Sequence, residues 1–228
     1  MDYTYADLAK MIDHSLLRPT LTDADLDAGC ALACAYDVAT VCTLPYDVAR
    51  CADRLAGSGV APSTTIGFPH GGHTTAVKVA EAERALADGA RELDMVVNIS
   101  KVLSEDWLYV TEDVRAVVDT AHAAGARAKV IFENCYLQDT HKIRLCGICG
   151  EVGADWAKTS TGFGTGGATL DDLRLMREHC PAEVQIKAAG GVRTLDALLD
   201  VRAVGATRAG ATATQTILDE CRRRLAAG

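Results

Sequence analysis

Short runs of apolar residues alternate along this chain with longer segments in which apolar side chains recur every three or four positions. The short runs are typical of buried strands, and the longer segments have the period of helices that bury one face. Strands are predicted near Met11–Asp13, Ala39–Thr43, Thr64–Gly67, Glu92–Val97, Ala128–Glu133, Asp155–Lys158, Glu183–Lys187 and Ala206–Gly210. Helices are predicted at Asp23–Tyr36, Thr74–Asp88, Glu105–Ala124, Asp139–Val152, Leu170–His179, Leu195–Val204 and Thr212–Leu225.

This alternation predicts an α/β fold class. Strands separated by helices form a parallel sheet, and eight such units predict a closed single-domain (β/α)8 TIM barrel over residues 1–228. An open doubly wound sheet is the alternative, but it usually carries a Gly-x-Gly-x-x-Gly turn after its first strand. Here the first strand continues into Asp13-His14-Ser15. The glycine-rich turns follow the last three strands, where barrels of this class bind phosphate.

Composition narrows the class of function. Hydrophobic residues make up 49% of the 228 residues, and the formal net charge is −8. An acidic chain argues against nucleic-acid and membrane-surface partners, which favour a basic face. No run has the length that spans a bilayer, and the N-terminus lacks a charged and apolar signal sequence, so we expect a cytoplasmic protein. An anionic substrate would need local positive charge, which Lys158, Lys187 and Arg193 can supply.

Two motifs raise the question of metal or redox chemistry. Cys146 and Cys149 have the spacing of a zinc or redox pair, but no second pair follows and the segment has a helical pattern. His70 and His73 could hold zinc together with an acidic residue, yet no third ligand stands at a suitable spacing. We predict no metal at either motif, and we interpret the nine cysteines as reduced thiols that fill the core.

A pair of lysines is the main sign of chemistry in the chain. Lys158 and Lys187 each end a short apolar run, and each precedes glycine-rich sequence. Burial and a neighbouring ammonium both lower an amine pKa and leave more of the free nucleophile for Schiff-base chemistry on a carbonyl. The glycines let backbone N–H groups approach an anion such as phosphate. The alternative is that both lysines are solvated charges at the start of a loop.

Polar residues also end other predicted strands, where barrel enzymes place their active sites. Asp94 interrupts an otherwise apolar strand, so its carboxylate is expected to be paired or functional. It can hold an ammonium, position a water or move a proton, and the structural alternative, a salt bridge with Lys129, is compatible with these roles. The set of strand-end residues is Asp13, Cys42, Asp94, Lys129, Glu133, Lys158 and Lys187.

The most specific motifs are Lys158-Thr159-Ser160-Thr161-Gly162-Phe163-Gly164-Thr165-Gly166-Gly167-Ala168-Thr169 and Ile186-Lys187-Ala188-Ala189-Gly190-Gly191-Val192-Arg193. With them stand Ile12-Asp13-His14-Ser15-Leu16-Leu17-Arg18-Pro19, Val41-Cys42, Ile66-Gly67-Phe68-Pro69, Glu92-Leu93-Asp94-Met95-Val96-Val97-Asn98, Lys129-Val130-Ile131-Phe132-Glu133 and Ala209-Gly210-Ala211-Thr212. In order and spacing the whole chain resembles the deoxyribose-phosphate aldolase family, class I aldolases with a (β/α)8 fold.

The resemblance implies specific roles at the centre of the site. Lys158 matches the Schiff-base lysine, and Lys187 matches the neighbour that tunes it. Asp94 matches the carboxylate that relays protons together with Lys187 and a water. Members of the family cleave 2-deoxyribose 5-phosphate to acetaldehyde and glyceraldehyde 3-phosphate without metal or organic cofactor. They are commonly dimers or larger, so a homo-oligomer is expected, with small aldehydes and sugar phosphates as the ligands.

The resemblance also implies a set of substrate-binding residues. Cys42 matches a pocket thiol beside the substrate, and we offer its capture of aldehydes as a hypothesis. Asp13 and Lys129 match supporting polar residues. The remaining positions, most of them backbone contacts to phosphate, are Thr161, Gly162, Gly190, Gly191, Gly210 and Thr212.

Three departures from the family pattern concern substrate choice. Leu44 stands where the family often has Asn, Asn134 stands where it usually has Thr, and the turn Ala211-Thr212-Ala213-Thr214 replaces a run of small hydroxyl residues. We expect Leu44 and Asn134 to line the acceptor pocket. Two alternatives therefore stay open: an aldolase of the same chemistry with a different, unphosphorylated acceptor, and a catalytically silent barrel that binds phosphosugars.

Overall fold

A closed barrel of eight parallel strands forms the centre of the computed structural model, which describes residues 3–227. The strands are β1 Ile12–Leu16, β2 Thr40–Thr43, β3 Ala61–Ile66, β4 Glu92–Val96, β5 Arg127–Ile131, β6 Trp156–Lys158, β7 Gln185–Ala189 and β8 Ala206–Ala211. Each pairs with the next in chain order, and β8 closes the barrel against β1, where Asp13 lies opposite Gly210. All eight predicted strands are confirmed, within a few residues at their ends.

The helices surround this barrel on the outside. They are α1 Tyr5–Ala9, α2 Asp23–Tyr36, α3 Val48–Leu55, α4 Thr75–Ala87, α5 Ile99–Leu103, α6 Trp107–Ala123, α7 Asp139–Val152, α8 Leu170–His179, α9 Leu195–Ala203 and α10 Thr214–Ala227. The predicted bounds are confirmed without change for α2, α7 and α8. Capping chemistry explains this agreement: Thr22 and Asp25 form a capping box at the start of α2, and Gly153 ends α7 in the left-handed conformation.

Three short helices, α1, α3 and α5, are absent from the predicted set. Of these, α3 supplies the helix between β2 and β3 that the barrel requires. It has eight residues, and only Val48, Cys51 and Leu55 are buried. An apolar stripe this short covers only about two helical turns, which is too few to establish a helical period from the sequence.

Alternation along the strands divides the buried residues into two layers. Leu93 and Met95 of β4 face the helices and belong to the apolar core, whereas Asp94 faces the barrel interior. Barrel interiors are usually filled by branched apolar side chains. Here the inward positions of β1 and β4 to β8 carry charged groups that contact one another. Among residues 3–227, no helix has the length and hydrophobicity needed to cross a bilayer.

Candidate active site

Lys158 and Lys187 meet inside the barrel, as the sequence predicts. They lie directly opposite each other in the register of β6 and β7, and their side chains are 3% and 1% exposed. Both ammonium nitrogens contact the same atom, Asp94 Oδ2, at 2.6 Å for Lys158 and 2.7 Å for Lys187. One carboxylate oxygen therefore joins the two lysines.

The pKa of the Lys158 amine is lowered from its usual value. Burial is the largest cause, because it removes water from the ammonium, and the positive charge of Lys187 acts in the same direction. The Asp94 carboxylate opposes both effects without cancelling them. Lys158 is therefore the amine of the pair that is more easily deprotonated, and only the deprotonated form attacks a carbonyl.

Lys187, which the resemblance implies tunes Lys158, is the cationic member of the pair. Its pKa is raised, because the attraction of Asp13 and Asp94 outweighs the cost of burial. Asp13 Oδ2 lies only 2.5 Å from Lys187 Nζ, whereas Lys158 pairs with no second carboxylate among residues 3–227. Lys187 therefore stays protonated and positively charged near neutral pH. Its charge contributes to the lowered pKa of Lys158, as expected, although burial contributes more.

Asp94 forms the predicted salt bridge with Lys129, at 2.7 Å from Oδ1, while its other oxygen holds the two lysines. These three ammonium groups lower the pKa of the Asp94 carboxyl well below its usual value despite complete burial. Asp94 is therefore an anion at neutral pH. Its structural and chemical roles are both possible at once, because each uses a different carboxylate oxygen.

A cavity of about 320 Å³ opens above Lys158 at the C-terminal ends of the strands. Barrel enzymes place their active sites on this face of the fold. The predicted site residues on its wall are Lys158, Thr161, Gly162, Gly190, Gly191, Gly210 and Thr212. Two cations, Arg18 and Arg193, also line it, so positive charge surrounds the glycine-rich turns.

Asp13, Cys42 and Lys129 lie in the barrel interior and are not on the cavity wall. All three are buried, and Asp13 and Lys129 are fully occupied by ion pairs with other site residues. Burial raises the pKa of the Cys42 thiol, so it remains protonated near neutral pH. We therefore expect Asp13 and Lys129 to act on the substrate through Asp94 and Lys187, and substrate contact by Cys42 stays a prediction.

The glycine turns have the conformation that an anion site needs. Gly190 and Gly191 follow β7 with φ of 81° and 101°, and Gly162 follows β6 with φ of 86°. Left-handed backbone of this kind turns N–H groups toward one concave side, and glycine adopts it without strain. Because all three residues line the cavity, their backbone groups border the space in which a phosphate would lie.

Thr161 is positioned by Glu133, a strand-end residue of the predicted set. The Thr161 hydroxyl donates to Glu133 Oε2, and the Thr161 backbone N–H donates to Glu133 Oε1 at 3.2 Å. The same hydroxyl accepts the N–H of Phe163 at 3.0 Å. Because the Thr161 hydroxyl both donates and accepts a hydrogen bond within the protein, its first role is to fix the loop after β6.

We predict that Gly167→Ala disrupts the close packing of the loop after β6 against the turn at Gly190. An added Cβ at Gly167 would lie 2.5 Å from the carbonyl oxygen of Gly190, and neither backbone can yield without moving a phosphate turn. We expect a loss of roughly 1–3 kcal/mol in stability, as for other overpacked sites, and weaker binding of phosphorylated ligands. Thermal unfolding and a ligand titration would measure these effects. Gly72→Ala is the control, because open space surrounds that position, and equal behaviour of the two variants would contradict the prediction.

Two of the departures from the family pattern, Leu44 and Asn134, lie away from the cavity, contrary to expectation. Neither residue lines it. The Asn134 amide points to the outside of the barrel, where its nitrogen contacts Met176 Sδ of α8 at 3.4 Å. In the turn after β8, Thr212 borders the cavity, whereas the Thr214 hydroxyl is buried against His14 Nδ1 at 2.8 Å.

The metal and redox motifs lie outside this site. Cys146 and Cys149 are buried in α7, and His70 and His73 are exposed in the loop before α4. Across residues 3–227, no group of three or more His, Cys, Asp or Glu side chains is arranged to hold a metal ion. All nine cysteines are unpaired thiols, and seven are buried as expected, but Cys135 is exposed and Cys34 is only partly buried.

Several residues of the site were missed by sequence reasoning. Ser15, Arg18 and Phe163 line the cavity, and Glu92 and Arg208 complete the ion pairs inside the barrel. Glu92 stands two residues before Asp94, so alternation places both on the inner face of β4. Arg208 likewise precedes Gly210 by two residues on β8. Alternation counted back from Asp94 and from Gly210 was therefore sufficient to find both.

Comparison with known proteins agrees with this geometry. A family model described as "DeoC/LacD family aldolase" matches residues 7–219. The deoxyribose-phosphate aldolase of Rhodopirellula baltica is 66% identical over 224 residues, which cover 98% of this chain and 93% of that protein. These matches extend over the whole barrel and are not confined to the lysine motifs.

Two solved structures with the same fold are also described as deoxyribose-phosphate aldolases. A putative deoxyribose-phosphate aldolase from Coccidioides immitis has a TM-score of 0.92 and 37% identity, covering 96% of this chain and 87% of that one. The deoxyribose phosphate aldolase of Aeropyrum pernix, described as having a unique tetrameric structure, has a TM-score of 0.89 and 30% identity, with 96% and 92% coverage. The family model, the relatives and the barrel site agree, and the chain belongs to the DeoC/LacD family of aldolases.

Proposed function

We propose that this chain is a class I aldolase that reversibly cleaves 2-deoxy-D-ribose 5-phosphate to acetaldehyde and D-glyceraldehyde 3-phosphate. One observation carries the proposal: the Lys158 amine, with its lowered pKa, lies on the wall of the cavity and contacts Asp94 at 2.6 Å. The identity to deoxyribose-phosphate aldolases over nearly the whole chain supports the same reaction. Residues 1–228 would act as one catalytic domain.

The reaction begins with attack by the neutral Lys158 amine on the open-chain aldehyde carbon. Loss of water gives an iminium, which withdraws electrons from the adjacent carbon. The 3-hydroxyl then loses its proton, the bond between carbons 2 and 3 breaks, and glyceraldehyde 3-phosphate leaves. The electrons of that bond remain as an enamine on Lys158. Protonation of the enamine at carbon 2 and hydrolysis of the resulting imine release acetaldehyde and restore the amine.

Asp94 and Lys187 are the groups that can move these protons. Asp94 Oδ2 lies between the two amines, so a proton taken up near Lys158 has a short path to the Lys187 side. A water beside Asp94 would extend this path to the substrate oxygen. Asp94 also supplies negative charge beside the iminium, which stabilises that cation in a buried site. The catalytic set is therefore Lys158, Asp94 and Lys187.

The phosphate would lie against the turns at Gly162, Gly190, Gly191 and Gly210, near Arg193. The direct test is turnover of 2-deoxyribose 5-phosphate compared with 2-deoxyribose, followed by the release of acetaldehyde. We expect a large preference for the phosphorylated sugar. Equal kcat/KM values would contradict the phosphate assignment and favour an unphosphorylated acceptor. Tight binding of the sugar phosphate without turnover would favour the silent phosphosugar-binding barrel.

We predict that Arg193→Gln reduces the preference for phosphate. Hydrogen bonds to charged groups contribute about 1.5–3 kcal/mol, so kcat/KM for the phosphorylated sugar should fall about tenfold or more. The value for 2-deoxyribose should change little, since that sugar has no phosphate. Arg91→Gln is the matched control, because Arg91 is an exposed arginine that precedes β4 at the opposite end of the barrel. An equal loss with both sugars would contradict the assignment.

We also propose that the chain forms a homo-oligomer and acts in the cytoplasm. The oligomer is supported by exposed apolar side chains such as Leu108, which is 76% exposed, and by the tetrameric structure described for the Aeropyrum pernix protein. The compartment is supported by the nine unpaired thiols, which a reducing environment would preserve.

A further inference from the structure

A second layer of charge lies beneath the two lysines, formed by Glu92 and Arg208. Glu92 is fully buried, and Arg208 is 7% exposed. Neither lines the cavity. Arg208 lies opposite Lys187 in the register of β7 and β8, and its guanidinium reaches Glu92, which stands two residues before Asp94 on β4. The reaction described above assigns no task to either side chain, yet burial of two more charges is costly unless each is paired.

Ion pairs connect this lower layer to the amines above it. Arg208 Nη1 contacts Asp13 Oδ1 at 2.5 Å and Glu92 Oε2 at 3.1 Å, and Nη2 contacts Glu92 Oε1 at 3.0 Å. Lys129 joins Glu92 at 2.6 Å to Asp94 at 2.7 Å. Asp13 then reaches Lys187 with its other oxygen, at 2.5 Å. Lys158 is connected to this network through Asp94.

The charges enclosed in the barrel, those on side chains less than a tenth exposed, balance only when Lys158 is neutral. Three carboxylates, Asp13, Glu92 and Asp94, face three cations other than Lys158. A proton on Lys158 would give the buried group a net positive charge, which is unfavourable without solvent. The balancing cations are Lys129, Lys187 and Arg208.

The remaining groups around the network do not alter this balance. Cys42 of β2 is a protonated thiol, and β2 and β3 otherwise present only buried hydroxyls, those of Thr40, Ser63 and Thr65. Trp156 of β6 stacks near Lys129 and Arg208 and is uncharged. Arg127 of β5 also pairs directly with Glu92, from the lower mouth of the barrel. Its side chain is 50% exposed, so water solvates this charge and it is left out of the count of enclosed charges.

We propose that Glu92 and Arg208 are positioning residues that keep the Lys158 amine in its uncharged, nucleophilic form by balancing the buried charge beneath it. The proposal rests on the proposed Schiff-base function, which it deepens by assigning control of the nucleophile to residues outside the cavity. Arg208 also occupies one oxygen of Asp13, which leaves the other oxygen for Lys187. The two residues thus act through Asp13, Asp94 and Lys187.

If Glu92 and Arg208 have this role, their substitution should shift the pH at which Lys158 loses its proton in opposite directions. A merely structural role predicts no such opposition. Arg208→Gln removes a cation and leaves excess negative charge, so Lys158 would hold its proton to higher pH. Glu92→Gln removes an anion, so Lys158 would lose its proton at lower pH. The double variant restores the balance. Buried charges a few ångströms apart interact by enough to move the acid limb of the pH profile by about one pH unit in each direction.

The experiment is the pH dependence of kcat/KM for cleavage of 2-deoxyribose 5-phosphate in the wild type and these three variants, with Arg208→Lys as a variant that keeps the charge. The acid limb of kcat/KM reports the free enzyme. We expect it to move up in Arg208→Gln, down in Glu92→Gln, and back to the wild-type position in the double variant and in Arg208→Lys. In Arg208→Gln, kcat/KM below the limb should fall about tenfold. Thermal unfolding records any loss of stability separately.

The outcomes separate this proposal from the function on which it rests. Wild-type cleavage with a limb that stays fixed, or that moves the same way in both single variants, would overturn the role of Glu92 and Arg208 and leave the aldolase function intact. A wild-type protein that shows no cleavage would overturn both. Should Arg208→Gln fail to fold, Glu92→Gln must still lower the limb and the double variant must restore it.

Discussion

Lys158→Arg should abolish aldol cleavage, with kcat reduced about 10⁴-fold or more. Arginine keeps the positive charge and much of the length of lysine, but its guanidinium stays protonated and cannot form an imine. Loss of a covalent nucleophile removes the whole pathway, so its effect is far larger than that of a weakened contact. The measurement is release of acetaldehyde under single-turnover and steady-state conditions.

Lys142→Arg is the matched control for this loss. Lys142 is largely buried on α7 and is held by Asp172 at 2.6 Å, so it resembles Lys158 in burial and pairing but lies outside the barrel. Its substitution should leave kcat unchanged. Substantial activity in Lys158→Arg, or an equal loss in Lys142→Arg, would show that the chemistry does not depend on the Lys158 amine.

Asp94→Asn should have the second largest effect, because it changes both stability and turnover. Asp94 contacts three ammonium groups, and neutralising one member of a buried ion pair typically costs about 3–5 kcal/mol. Turnover should also fall, by about 10³-fold, since the carboxylate both relays protons and stabilises the iminium. Denaturant unfolding and kcat measured on the folded fraction would record the two losses.

A second buried ion pair separates these two effects. Asp113 of α6 holds Lys78 of α4 at 2.5 Å, and both side chains are completely buried away from the cavity. Asp113→Asn should therefore lose stability to a comparable degree while the folded enzyme keeps its kcat. If Asp94→Asn behaved in the same way as Asp113→Asn, Asp94 would be a structural residue only.

The sequence was sufficient to predict the barrel because each strand carries its own local signal. The runs that end at Lys158 and Lys187 are short, apolar and followed by glycine, and parallel strands bring such ends to one face of the fold. The same logic located Asp94 and the turns at Gly162 and Gly190. The helix Val48–Leu55 was missed because its apolar stripe is too short to give a clear period.

The reason why the two lysines differ in charge could not be predicted in the same way, since it depends on partners far away in sequence. Lys187 is a stable cation because Asp13, from the first strand, lies 2.5 Å from it. The sequence shows two similar lysines, but only the closed barrel shows that one has a second carboxylate and the other does not. Asn134 illustrates the opposite problem: it follows an active-site strand, yet its side chain turns outward to Met176.

Chemical trapping of the Schiff base is the most direct test of the central claim. Wild-type protein is incubated with acetaldehyde, reduced with borohydride, digested and analysed by mass spectrometry. Formation of the imine and its reduction should leave an N-ethyl group on the peptide that contains Lys158 and leave Lys187 unmodified. An ethyl group on Lys187 in place of Lys158, or no adduct within the barrel, would contradict the assignment of Lys158 as the nucleophile.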